Sequence, residues 1–118
     1  MRVEIMGIPF DNVTMDEALD AAMRLLEQPG AAYGVTPNSE IVYETLNDSA
    51  LREMICQADL ILPDGAGVVL GAKILGTPLR EKVAGIDFAQ NLMARLEHTE
   101  KSFYFFGSKP GVAETAAD

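Results

Sequence analysis

The sequence is short of cations, cysteine and histidine, and each shortage removes a class of function. Nine Lys and Arg stand against eighteen Asp and Glu, a formal net charge of −9. A nucleic-acid surface needs clustered cations to displace phosphate counterions, so that class is excluded, as is polybasic attachment of this segment to an anionic membrane. The single cysteine, Cys56, cannot make an internal disulfide and reads as a small buried apolar group in a reducing, cytoplasmic setting. The single histidine, His98, has no second imidazole with which to build a metal cluster, and Glu97, Thr99 and Glu100 around it mark a helix end. No Asp-x-Asp pair is present to hold a divalent cation on a sugar nucleotide, so neither a metal nor any other cofactor is expected. An uncharged apolar run of about 18 residues is missing, as is an apolar leader after Met1-Arg2.

What is there is an ordinary globular composition in 118 residues, enough for one folded domain and too little for two. Residues 2–8 alternate loosely and predict a first strand, broken early by Gly7 and Pro9. Thr14 and Glu17 have capping-box spacing ahead of Ala18, Ala21, Ala22 and Leu25, and Pro29-Gly30 ends that helix. A short strand over 31–36 stops at Pro37-Asn38 and feeds a helix carrying Ile41, Val42, Thr45 and Leu46. Ser49 is placed to cap the next helix, and an apolar strand over 58–62 runs into Pro63-Asp64-Gly65. Further helices are expected over 67–75 and, capped by Asp87 with Gln90, as far as about 97. Residues 101–106 read as the clearest strand, and Pro110 suits the first turn of a last helix that breaks off at Asp118. This βα rhythm predicts an α/β fold, a Rossmann-like, mainly parallel sheet with helices on both faces, apparently truncated at its C-terminus.

In such a fold the site lies beyond the carboxyl ends of the strands, where three polar or glycine-rich loops should meet. Asp64, at the end of a wholly apolar strand and ahead of Gly65 and Gly67, is the candidate general base, with a plain helix N-cap as the competing role. Thr36 and Asn38 offer a hydroxyl and an amide suited to sugar hydroxyls, although a strand-to-helix turn favours the same residue types. Gly107, Ser108 and Lys109 open the last helix, where exposed amides beside a cation would suit a diphosphate. Arg80 and Lys82 are the cations nearest the middle loops. A dinucleotide fingerprint fails, because its third glycine would fall at Leu70, and no Tyr-x-x-x-Lys pair supports an epimerase.

Three segments together carry a resemblance: Val35-Thr36-Pro37-Asn38-Ser39-Glu40-Ile41-Val42, Leu60-Ile61-Leu62-Pro63-Asp64-Gly65-Ala66-Gly67, and Glu81-Lys82-Val83-Ala84-Gly85-Ile86-Asp87. In this order, with Phe106-Gly107-Ser108-Lys109-Pro110-Gly111 behind them, they resemble the WecG/TagA/CpsF family of bacterial glycosyltransferases. The resemblance implies an inverting transfer of N-acetylmannosamine, or a related hexosamine, from its UDP donor to the 4-hydroxyl of N-acetylglucosamine on a diphosphoundecaprenol acceptor in surface-polymer synthesis. It implies that Asp64 is the base and that Thr36 and Asn38 line the sugar pocket. Arg80 and Lys82 would then bind substrate, and Gly65, Gly67, Gly107, Ser108 and Lys109 the nucleotide diphosphate. Lys82 departs from the family's usual arginine, whose bidentate fork a point charge does not reproduce. Residues 1–118 would be the N-terminal part of one glycosyltransferase domain. The complete protein would lie at the inner face of the cell membrane, through elements beyond residue 118, and exposed core at the cut edge would favour a homo-oligomer. The alternative is a nucleotide-binding or regulatory module without transfer activity.

Overall fold

The computed structural model describes residues 2–103 and 110–117, and its first element departs from the single strand expected over 2–8. Residues Arg2–Ile5 (β1) and Ile8–Asp11 (β2) form an antiparallel hairpin closed between Ile5 and Ile8 by Met6-Gly7 alone. Both turn residues have positive φ, 51° and 84°, as a type I′ hairpin turn requires. Gly7 takes that conformation freely, whereas Met6 carries a strain that a sequence reading has no reason to assign to it. Arg52 holds the turn down, its Nη2 donating to the Met6 carbonyl at 3.1 Å.

Helix α1, Met15–Glu27, starts with the expected capping box: the Glu17 amide donates to Thr14 Oγ1, and the Thr14 amide donates to Glu17 Oε1 at 3.0 Å. Strand β3, Gly34–Val35, leads into α2, Ser39–Glu44, whose cap is Asn38. Helix α3, Ser49–Cys56, is capped by Asp48 rather than by the expected Ser49, because the Asp48 carboxylate reaches the Leu51 amide at 3.0 Å. Strand β4, Leu60–Ile61, then pairs with β3 in parallel, Gly34 opposite Leu60 and Val35 opposite Ile61. Helices α4, Ala66–Ile74, and α5, Gly85–Arg95, follow, and α6, Val112–Ala117, comes after Pro110-Gly111. The start of α5 is a further correction: Ala84 holds the cap position without any side-chain hydrogen bond, and Asp87 lies inside the first turn.

The described residues thus form a mixed α/β fold with two small two-stranded sheets, and parallel pairing is confined to β3 and β4. Folding the first segment back on itself removes one candidate parallel strand. Residues 101–103 of the strand expected over 101–106 belong to no sheet, the Lys101 amide being taken by the Thr99 hydroxyl at 3.2 Å. The rest of that strand lies outside the described residues.

Helices on both faces are nonetheless found around β4. Ile61 packs into one core with Ile5, Ile8, Phe10, Val42, Ile55 and Val68. Leu60 and Leu62 pack into the other with Ala18, Ala22 and Val83, covered by Phe88 and Leu92 of α5. This alternation along one strand is what a strand buried on both sides must show. At its free edge the hairpin is fastened by side chains: Asp11 Oδ2 accepts from the Ile61 amide at 2.7 Å, and Oδ1 accepts from Arg2 Nε at 3.0 Å. Arg2 Nη2 in turn donates to the carbonyls of Ala58 and Asp59.

Replacing Asp11 by Ala leaves a buried strand amide without an acceptor, so Asp11→Ala is expected to cost about 1–3 kcal/mol in a urea unfolding series. A midpoint equal to that of the parent protein would show that β4 does not depend on this bond.

Candidate active site

Strands β3 and β4 run parallel, so their carboxyl ends open on the same side, and the loops after them meet there. The ladder continues past the paired residues, the Leu62 amide donating to the Val35 carbonyl at 2.9 Å, so Thr36 and Pro63 leave the sheet side by side. The chain returns from below through Leu79 and the buried Val83, whose amide donates to the Pro63 carbonyl at 2.8 Å. That bond brings the start of α5 to the end of β4.

Asp64 is half-buried at this junction, and its Oδ2 accepts from the Gly85 amide at 3.3 Å. Among the described residues its second oxygen accepts no hydrogen bond. Asp64 is therefore not the cap of α4: that position belongs to Gly65, at φ 99°, with no side-chain cap bond at all. Thr36 is half-buried against Gly85, where an added Cβ would stand 2.9 Å from the threonine hydroxyl. Across the cleft, an added Cβ on Gly67 would stand 3.0 Å from Ser39 Oγ. Asn38 uses Oδ1 to cap α2 through the Ile41 amide at 3.0 Å, which leaves its NH₂ group as the donor. Asp64, Thr36, Asn38, Gly65 and Gly67 are thus brought together as the sequence reading expected.

Gly85 was missed as a site residue. Its only sequence signal is a glycine at the start of a helix, where capping residues are the norm. The reason for it is tertiary, the close approach of Thr36. With Gly65 it gives the cleft two helix N-termini, those of α4 and α5, neither of which has a side-chain cap; the first amide of α5 is instead the one that Asp64 takes.

The cations are arranged differently. Arg80 Nη1 donates to Glu17 Oε1 at 2.6 Å, and the Arg80 amide donates to Asn12 Oδ1, so this residue is tied to the N-terminus of α1. Glu81 Oε2 takes the Met15 amide at the same end. Lys82 is exposed and makes no ion pair among the described residues. The Thr14 amide first, then Arg80, hold the Glu17 carboxyl below its ordinary range. Gly107, Ser108 and Lys109 lie outside the described residues. Among the described residues no group of three or more His, Cys, Asp or Glu gathers to hold a metal ion, and no helix is long and apolar enough to cross a membrane.

The model of the glycosyl transferase WecG/TagA/CpsF family matches residues 3–118. The chain belongs to this family. A relative from Bacillus spizizenii, named N-acetylglucosaminyldiphosphoundecaprenol N-acetyl-beta-D-mannosaminyltransferase, is 37% identical over 91 residues, covering 76% of this chain and 35% of the relative. A Staphylococcus aureus protein of the same name is 29% identical over 117 residues, covering 98% of this chain and 46% of its own length. The family member described here therefore spans less than half the length of these curated relatives.

Two outcomes are expected from this geometry. Gly85→Ala pushes a methyl group against Thr36, so it should cost about 1–3 kcal/mol, and Thr36→Ala should recover part of that loss in a double-mutant unfolding cycle. Strict additivity would mean that the two residues do not touch. Because the Glu17 carboxyl is depressed, its contribution to stability is complete above the ordinary carboxylate range and is lost as the pH falls through its lowered folded value. Unfolding measured against pH should show this loss in the parent and not in Glu17→Gln.

Proposed function

We propose that this chain carries the base and the sugar-binding wall of an inverting, metal-independent glycosyltransferase of its family. The observation that carries the reading is the half-buried Asp64, held through one oxygen by Gly85 and unpaired at the other, at the meeting point of β3, β4, α4 and α5. A general base needs this arrangement: one oxygen to set its orientation, the other free for the incoming hydroxyl.

The donor is a UDP-N-acetylhexosamine, N-acetylmannosamine being the sugar in the relatives' names, and the acceptor is the 4-hydroxyl of N-acetylglucosamine-diphosphoundecaprenol. Asp64 takes the acceptor's hydroxyl proton, the freed oxygen attacks the anomeric carbon from the face opposite the diphosphate, and the anomeric C–O bond breaks to release UDP. One displacement inverts the configuration. Thr36 and the Asn38 NH₂ hold sugar hydroxyls or the N-acetyl group. Negative charge growing on the leaving diphosphate is met by the amides at Gly65 and Gly67 and by the field of two helix N-termini. Lys82, with no carboxylate partner among the described residues, adds the mobile cation, and Arg80 anchors the loop that presents it. Gly107, Ser108 and Lys109 belong to the same diphosphate site in this reading.

We place β3 and β4 at the centre of a wider Rossmann-like parallel sheet, with residues 1–118 the N-terminal part of the glycosyltransferase domain. The complete protein works peripherally at the inner face of the membrane that holds its acceptor. The alternative, a nucleotide-binding module without transfer, would leave the unpaired oxygen of Asp64 without a task.

The test is saturation-transfer NMR of the chain with UDP-N-acetylmannosamine, in which both uridine and sugar signals should be saturated; sugar signals left untouched would overturn the reading. In transfer to an N-acetylglucosamine-diphosphoprenol acceptor, Asp64→Asn should lower the rate by about 10²–10⁴-fold with binding of the donor retained. Equal turnover would remove Asp64 as the base.

A further inference from the structure

Directly behind the Ser39 and Gly67 wall of the cleft lies a groove of about 380 Å³, bounded by the hairpin, α2 and α4. Its walls are Ile5, Val42, Val68, Ile74 and Leu75, and no charged side chain lines it, in a chain whose net charge is −9. Ile74 is 76% exposed and Leu75 58% exposed, so the outer lip is apolar surface open to solvent. The floor contains Gly71, in the middle of α4, where an added Cβ would meet nothing within 4 Å. Packing does not demand a glycine there and helix propensity disfavours one, so its effect is to keep the groove open.

We propose that this groove binds the first isoprene units of the lipid acceptor, an inference that rests on the function proposed above. Two observations choose this occupant. The groove shares Ser39 and Gly67 with the cleft, so a chain attached through a diphosphate to a sugar at Asp64 meets it on leaving the site. Its uncharged walls suit a branched hydrocarbon and repel a diphosphate, so the acceptor's own diphosphate stays outside it at the Ser39 lip, apart from the donor diphosphate at the helix N-termini. The acceptor is thus held at both ends, sugar in the cleft and prenyl chain in the groove, with the anionic group between them.

The experiment titrates farnesyl diphosphate, kept below its micelle concentration, into the methyl-labelled chain, with inorganic diphosphate as the control. Farnesyl diphosphate should shift the methyl signals of Val68, Ile74 and Leu75 saturably, and inorganic diphosphate should not. Gly71→Leu, which fills the groove from open space, should weaken farnesyl diphosphate binding at least tenfold while the melting temperature holds or rises. Unmoved methyl signals, or a Gly71→Leu protein that binds as the parent does, would overturn the proposal. So would a Gly71→Leu protein that sediments as a monomer where the parent is a dimer, with no response of either to farnesyl diphosphate, since the face would then join two copies. UDP-N-acetylmannosamine added to the same samples separates the two readings: a response of the Thr36 and Ala84 methyl groups without groove shifts overturns the groove alone. Groove shifts without any response to the nucleotide sugar uphold a prenyl site and overturn the reading of the cleft.

Discussion

Everything near Asp64 depends on how a strand of two residues is held. Leu60–Ile61 has the backbone of β3 along one edge and, along the other, a carboxylate in place of a strand, Asp11 accepting the Ile61 amide at 2.7 Å. A charged acceptor makes a shorter and stronger bond than a neutral carbonyl, so one side chain does locally what a further ladder would do. Burial of Leu60 and Leu62 on one face and Ile61 on the other completes the clamp. With both faces and both edges occupied, the strand has no freedom to tilt, and the residue that follows Pro63 is delivered to one place.

What was legible in the sequence was local. Thr14 with Glu17, Asn38 after a proline, and the Pro63-Asp64-Gly65 stop are each decided within one turn of backbone, and each appears where the spacing put it. The misses are of two kinds. Met6 at φ 51° and Asp48 in place of Ser49 are choices between neighbouring residues of similar local cost, settled by what packs against them, as Arg52 does on the Met6 carbonyl. Asp11 with Ile61 and Arg80 with Glu17 join residues fifty and sixty-three positions apart, and periodicity carries no information at that range. Gly85 belongs with the second kind, since its meaning lies in Thr36.

Those distant pairings also explain how so acidic a chain can be read as a handler of diphosphates. Its cations are few, and Arg80 is paired with Glu17 at 2.6 Å, a pairing that ties the loop between α4 and α5 to the start of α1. In the proposed reading Lys82 adds one mobile cation, and the rest of the charge for an anion comes from the backbone. On that proposal, peptide dipoles at the N-termini of α4 and α5 supply it without a counter-charge that would attract any passing anion, and they act over the first turn only. A site built this way discriminates by shape and distance more than by net charge.

The same logic gives the glycines their place. Amides serve as ligand donors only when no side chain stands between them and the ligand, and a cleft lined by amides must therefore be lined by small residues. Gly67 faces Ser39 and Gly85 faces Thr36 at separations that a Cβ would reduce to 3.0 and 2.9 Å. Ser39, Gly67 and Gly85 all stand in the first turns of helices, so α2 and α4, and α5 with the Thr36 turn, approach each other closely there, and Gly65 at φ 99° turns the chain into α4. Substituting any of them by alanine changes no charge and removes no hydrogen-bonding group, yet it separates the walls of the site or turns one aside. Where the proposed binding groups are backbone amides, the absence of a side chain is what keeps them open, and it is the fold around β4 that makes the absence matter.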